Sequence, residues 1–279
     1  MGTPVLLALL ALAGLGGLCL IAGAQLWERA RGGLSPRLLP AFPTVPSYTP
    51  WPTPPVALAF DLPLLPAEVY GPYVRGESGP LAVDTRYGAQ NPAQGARSNC
   101  FRDAEGKGVP FSQLYHAGVD LFALDDAGQV AWGAARQAAV HAVADGVVVL
   151  VQDAGADGTI VMVEHLLAEG SAVYADEYIR SVYWHVDYVQ VREGQPVARG
   201  QVIAVVYDRG LNSHLHWEMR TFGDGTDLFP AGTAGARGTC NGYVAGVGYT
   251  WDDAGEYTRA RAHPDAYGYL DPVAFVERY

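Results

Sequence analysis

From Val56 onward, apolar residues fall in short runs separated by Gly, Asp and Asn. The segments VALAFDLPLL (56–65), HAVADGVVVLVQDAG (141–155), GTIVMVEHL (158–166), RSVYWHVDYVQV (180–191) and GQVIAVVYD (200–208) are rich in Val, Ile and Tyr and too short for long helices. Such side chains suit a pleated, half-buried surface. The pattern predicts an all-β, mainly antiparallel domain of barrel-sandwich type with long surface loops. Within it, Gly194-Gln195 and Gly200-Gln201 form a short echo that reads as two turns reversing one strand pair. Residues 221–268 are rich in Gly, Ala, Thr and Asp and read as a surface loop insertion, before YGYLDPVAFVERY packs back on the domain.

The N-terminal part has a different pattern. Residues 1–24 are almost wholly apolar and end in Ala22-Gly23-Ala24, a small-x-small sequence suited to signal-peptidase cleavage. Residues 4–27 are also about long enough to span a bilayer, so the segment reads as a signal peptide or a membrane anchor. Arg29, Arg31 and Arg37 follow the apolar run instead of preceding it. Residues 25–57 include SPRLLPAFPTVPSYTPWPTPP, whose prolines fix φ and remove backbone donors, making an extended linker. The folded domain is then expected over 58–279, outside the cytoplasm, secreted or tethered to the outer face of the membrane.

Composition narrows the partners. The chain has 279 residues with a formal net charge of -11, and no basic cluster that could track a phosphate backbone, so nucleic acid is excluded as a partner. Lys107 is the sole lysine and lies far from the Gly-Gln echo, which excludes a biotin or lipoyl carrier of similar rhythm. Beyond the apolar N-terminus the cysteines are Cys100 and Cys240, an even pair that reads as one disulfide in an exported protein. Oligomeric state is not legible.

The chemistry lies in the histidines. In NSHLHWEMR (212–220), His214 and His216 stand two apart, which on a strand sends both imidazoles to one face. Leu215, Trp217 and Met219 then face the core. In HAGVD, His116 and Asp120 stand four apart, roughly 13 Å in a straight strand. A shared ion therefore needs a bend, which Gly118 can supply. His116, Asp120 and His216 would offer two imidazole nitrogens and one carboxylate oxygen, a set suited to one Zn²⁺ with a fourth position open to water. Zinc lowers the pKa of water to roughly 7 and polarises a carbonyl. His214 and His185, the latter in SVYWHVDYV, are the candidate catalytic pair for moving protons and stabilising an oxyanion. Glu218 shares the face of His216 and is the candidate for orienting its ring. His165 and His141 read as structural, and His263 shows no partner in the sequence.

Taken in order, these motifs resemble the lysostaphin-type or LytM-like zinc metallopeptidases, peptidase family M23. HAGVD matches the family's H-x-G-x-D, AVADGVV its A-x-x-x-G-x-V strand, YWHV its Tyr-x-His element and HLHWE its H-L-H-F-E. The resemblance covers roughly 110–220, with GYLDPVAF as a further match. It implies an all-β core with a narrow groove over a zinc held by His116, Asp120 and His216, and with His185 and His214 catalytic. The turn before the last motif, YDRGLNS, is shorter and poorer in glycine than the family's, and LLAEGSAVYADEYIRS is extra sequence. With the apolar N-terminus, the resemblance implies an exported endopeptidase that cleaves stems or cross-bridges of peptidoglycan through a zinc-activated water. The rival reading is a catalytically silent LytM-like binding module of the cell envelope.

Overall fold

The structure is a computed structural model, and it describes residues 52–74, 84–90, 97–102, 106–168, 178–221, 248–250 and 263–279, with backbone alone at 97–102 and 111. The chain divides at residue 50, and every described residue belongs to the second unit, Trp51–Tyr279. Its strands in chain order are β1 (Val56–Ala57), β2 (Tyr70–Gly71), β3 (Arg97–Arg102), β4 (Gly108–Pro110) and β5 (Tyr115–His116). There follow β6 (Val119–Ala123), β7 (Ala139–His141), β8 (Gly146–Asp153), β9 (Thr159–Leu167) and β10 (Tyr178–Asp187). The last are β11 (Pro196–Val197), β12 (Val202–Val206), β13 (Leu215–Arg220), β14 (Tyr249–Thr250) and β15 (Tyr269–Leu270). Four of the five apolar runs thus form strands, as their composition predicts, whereas VALAFDLPLL is strand only at Val56–Ala57.

The main sheet runs β11-β8-β9-β10-β13-β6-β2, with β12 joining β10 to β7, β1 beside β9, and β15 beside β13. All of these ladders are antiparallel except β1 with β9, where Val56 and Ala57 pair with Leu166 and Leu167. Among the described residues, sheet pairing therefore starts at Val56. Two short ladders, β3 with β4 and β5 with β14, stand apart from the main sheet. The α-helix found among the described residues is α1 (Pro272–Val276), short and firmly capped. Asp271 accepts from the amides of Val273 and Ala274, and Pro272 occupies the first turn where its missing N–H is harmless.

The core gathers on one face of β9, β10 and β13. Val161, Val163, Tyr183, Leu215, Trp217 and Met219 are all fully buried there. His216 and Glu218, on the opposite face of β13, are buried as well, so this strand is covered on both sides. Phe275 of α1 packs edge-on to Phe60, closing the C-terminal helix onto the segment after β1.

Two expectations are corrected. The Gly-Gln turns do not reverse a single strand pair: β11 goes to β8, whereas β12 goes to β10 and β7. Each glutamine instead closes its own turn. Gln195 Oε1 accepts from the Arg192 amide at 3.2 Å and Gln201 Oε1 from the Ala198 amide at 3.1 Å, with Gly194 and Gly200 both at φ 77°. Nor is 221–268 wholly a surface insertion. Residues 222–247 and 251–262 lie outside the described residues, but β14 pairs with β5 and Thr250 is buried. Residues 1–51, including the 4–27 span, also lie outside; among the described residues no helix is long and apolar enough to cross a membrane.

Candidate metal centre

Strand register assembles the site. β13 pairs with β6 so that His216 lies directly opposite Asp120. On its other side β13 pairs with β10, setting His216 opposite Trp184. The β10–β9 register then slips between Trp184 and Val186, leaving His185 as the extra residue of a bulge at φ 61°. A left-handed backbone at a non-glycine residue is strained and re-aims the side chain. The ring of His185 is thereby turned into the cleft, stacked on Trp184 with centroids 4.2 Å apart.

His116 arrives from the separate β5. The chain breaks between β5 and β6, and Gly118 sits in the break. Its φ is not among the positive ones, so the glycine is there for space and not for a left-handed bend. A Cβ at this position would lie 2.4 Å from the Trp217 carbonyl oxygen and 3.0 Å from His216 Nε2. Close approach to β13 is thus what brings His116 against His216.

The three sites read as ligands converge. His216 Nδ1 lies 2.8 Å from Asp120 Oδ1, His116 Nε2 lies 3.2 Å from the same oxygen, and the two ring nitrogens are 3.1 Å apart. Bonds of about 2.0–2.1 Å at tetrahedral angles to one zinc would separate its ligand atoms by about 3.3 Å, close to this triangle. The outer nitrogens are also engaged. His216 Nε2 is 2.8 Å from Glu218 Oε1, and His116 Nδ1 is 3.3 Å from the Arg86 carbonyl oxygen. Such outer partners fix which nitrogen points inward. Glu218 accepts from the Gly248 amide too, at 2.8 Å, and Arg220 lies behind it at 3.4 Å. The donor set and its surroundings fit zinc.

Charge follows the same geometry. Burial would raise Asp120, but the imidazoles of His116, His214 and His216 hold it well below the usual carboxylate range. Burial would lower His216, yet its hydrogen bonds to the Asp120 and Glu218 carboxylates carry it up to about 9. The other two imidazoles behave oppositely. Burial pushes His185 well below its ordinary value, helped by the neighbouring His214 and Arg209. It also pushes His214 down to about 4, against the pull of Asp120. Both rings are neutral near pH 7, and their tautomers follow from their partners. His214 precedes β13 instead of lying within it, and its Nδ1 donates to the Asn212 carbonyl at 2.8 Å. Its Nε2 keeps a lone pair, 3.7 Å from Asp120 Oδ2. His185 Nδ1 donates to the Asp157 carbonyl at 2.8 Å, so its Nε2 is an acceptor as well. The two rings meet edge to face, centroids 4.8 Å apart.

These groups line a cleft of about 210 Å³. It also holds three residues that sequence reasoning did not single out: Asp157, Arg209 and Tyr249. Tyr249 packs beside His116 with centroids 5.4 Å apart, and burial raises its pKa, so it remains a neutral phenol. Its signal in the sequence was a short GYT run inside a glycine-rich stretch. Arg209 belongs to YDRGLNS, the turn that departs from the family pattern.

The remaining histidines lie elsewhere. His165 and His141 are held by structural contacts, to Asp145 and Ser181 and to Pro63 respectively. His263, read from sequence as unpartnered, has partners: it caps the 3-10 turn Pro264–Tyr267, accepting from Asp265, and packs against Tyr87 and Tyr115. The disulfide expectation lies outside the described residues, because Cys240 and the side chain of Cys100 are not among them.

Comparison with known proteins agrees with this architecture. Residues 115–230 match the family described as Peptidase family M23. Among solved structures the chain is similar to a zinc-containing peptidase from Vibrio cholerae, at 26% identity over 44% of this chain and 32% of that one, with a TM-score of 0.28. It is also similar to the antimicrobial peptidase lysostaphin from Staphylococcus simulans, at 20% identity over 46% of this chain and 48% of that one, TM-score 0.27. A third is the catalytic domain of the prophage-encoded M23 protein EnpA from Enterococcus faecalis, at 17% identity over 54% and 88%, TM-score 0.29. The chain spans about a third of the length of the Vibrio cholerae peptidase it matches. No curated protein matches. The matched residues 115–230 contain HAGVD, YWHV and HLHWE, so the segment that carries the site is the segment that matches peptidase family M23.

Proposed function

We propose that the protein is an exported, zinc-dependent endopeptidase that hydrolyses peptide bonds in the stems or cross-bridges of peptidoglycan. The observation that carries this reading is the triangle of His116 Nε2, Asp120 Oδ1 and His216 Nδ1, with two neutral imidazoles facing it. These three atoms would hold one zinc ion. Bound zinc supplies Lewis acidity, acidifying water and polarising a carbonyl.

The chain's own residues do the rest. His214 Nε2, with its lone pair toward the Asp120 side of the cleft, accepts a proton and can return it to the leaving amine. His185 stands across from it, its ring held by Asp157 and Trp184, with its Nε2 lone pair placed to accept a proton in the cleft. Glu218 and the Arg86 carbonyl keep the ligand rings aimed inward. The match to peptidase family M23 over residues 115–230 and the apolar N-terminal segment support the cell wall as the target.

Zinc content and peptide release from peptidoglycan, followed by mass spectrometry, test the assignment. His116→Ala, Asp120→Ala and His216→Ala are expected to lose both zinc and activity. His185→Ala and His214→Ala should keep zinc and lose at least about 100-fold in turnover, the ordinary scale of general acid–base catalysis. A zinc-loaded wild type that releases no peptide with or without chelator would leave the silent binding module. A His214→Ala variant at full rate would remove that residue from the mechanism.

A further inference from the structure

We propose that Arg209 determines specificity by binding a carboxylate of the substrate, so that the cleft takes acidic peptides; this rests on the peptidase reading of the cleft. Arg209 opens the turn between β12 and β13, and its amide donates to Ser213 Oγ at 2.9 Å while that hydroxyl donates to the Gly210 carbonyl at 2.8 Å. The base of the side chain is therefore fixed. Its guanidinium reaches into the cleft, where Nη2 donates to Asp157 Oδ1 at 3.1 Å and Nη1 to His185 Nε2 at 2.9 Å.

Three features separate this from an ordinary surface ion pair. First, a guanidinium has five N–H donors, and those beyond these two have no partner among the described residues. The side chain is 25% exposed, toward the cleft it lines. Second, Arg209 spends one donor on a neutral imidazole. A carboxylate adds the attraction of a full negative charge and can take two parallel N–H bonds, so an incoming carboxylate displaces His185 from the guanidinium. His185 Nε2 is then released to the cleft with its lone pair, and recognition is coupled to exposure of the base. Third, the chain carries a net charge of -11, which repels an acidic peptide at long range, and Arg209 is the one permanent cation among the described residues lining the cleft. Asn212, three residues on in the same turn, adds a buried Oδ1 with no partner among the described residues, an acceptor suited to a peptide N–H.

The test is equilibrium binding to the chelator-treated full-length chain, so that turnover plays no part. The probes are a dansylated peptidoglycan stem tetrapeptide and its counterpart with every carboxylate amidated, followed by fluorescence anisotropy. The wild type is expected to bind the carboxylate form at least about tenfold tighter, a preference that shrinks as salt rises. In Arg209→Gln the two affinities should come within about twofold of each other, and Arg209→Lys should keep part of the preference. Circular dichroism checks each fold, and the lysine variant carries the test if the glutamine variant does not fold. Equal wild-type affinities, or a tenfold preference surviving in Arg209→Gln, would overturn the role. A chain that shows the preference but digests no peptidoglycan removes the endopeptidase reading alone; one that digests peptidoglycan but binds both probes equally removes the role of Arg209 alone.

Discussion

His165 is a fully buried imidazole away from the cleft, and its setting gives it a measurable consequence. Its Nδ1 lies 2.9 Å from the Asp145 carbonyl oxygen, its Nε2 2.8 Å from Ser181 Oγ, and the ring of Phe60 meets it edge-on. Burial pushes its pKa down to about 4 from an ordinary 6.5, despite the carbonyl. Between those values the unfolded chain binds a proton that the folded chain refuses. The stability due to the neutral ring is therefore whole above about pH 6.5 and is lost as pH falls toward 4. At 1.36 kcal/mol per pH unit the loss is roughly 3 kcal/mol. Thermal melts at pH 7 and pH 4.5 should show His165→Gln well below the wild type at the higher pH, with the gap narrowing at the lower. If both proteins lose stability in parallel, the acid sensitivity belongs to other groups.

At the level of elements, the site depends on how closely β5, β6 and β13 approach, and Gly118 tests that closeness. A methyl group there would press on the Trp217 carbonyl at 2.4 Å and on Glu218 Cγ at 2.8 Å. The backbone of a strand covered on both faces has little room to yield. Overpacking of this kind costs about 1–3 kcal/mol, and the displaced atoms are those that hold His216. Gly118→Ala is expected to lower the urea midpoint and weaken zinc binding by about tenfold or more, read by competition with a chromogenic chelator. Unchanged affinity would mean that the three ligands tolerate a wider gap. The same elements explain what sequence could reveal. His116, Asp120, His214 and His216 were legible because two-residue periodicity and a glycine break constrain where side chains point. Trp217 and its neighbours were legible for the same reason. Asp157 and Arg209 lie in turns, where no period links spacing to direction. They meet at His185 only through a bulge whose register no local pattern announces. Tyr249 joins His116 across more than a hundred residues by a two-residue ladder, too short to register as a strand signal.

For the whole molecule, the cluster sits at a seam. His116 belongs to the small β5–β14 ladder, while Asp120 and His216 belong to the main sheet. Across that seam Ala117 donates to the Gly248 carbonyl at 3.0 Å and the Gly248 amide to Glu218 at 2.8 Å, contacts that an ion bound to all three ligands would reinforce. Without an ion, Asp120 is a buried carboxylate answered by an imidazole whose pKa is raised to about 9, a costly arrangement away from water. Zinc held by the three ligands would replace that internal pairing and would bind the folded chain alone, since the ligands are far apart in sequence. Mass action then stabilises the fold by RT ln(1 + [Zn]/Kd), about 4 kcal/mol at a thousandfold excess over Kd. For a domain of this size each kcal/mol moves the melting temperature by roughly 2–4 °C, so calorimetry should find the zinc-loaded protein melting on the order of 10 °C above the stripped one. His216→Ala should melt at one temperature with or without zinc, whereas His185→Ala, outside the ligand triangle, should keep the full shift. A wild type indifferent to stripping would mean that these three side chains hold no metal under the conditions of the melt, and a shift retained by His216→Ala would put the ion elsewhere in the molecule.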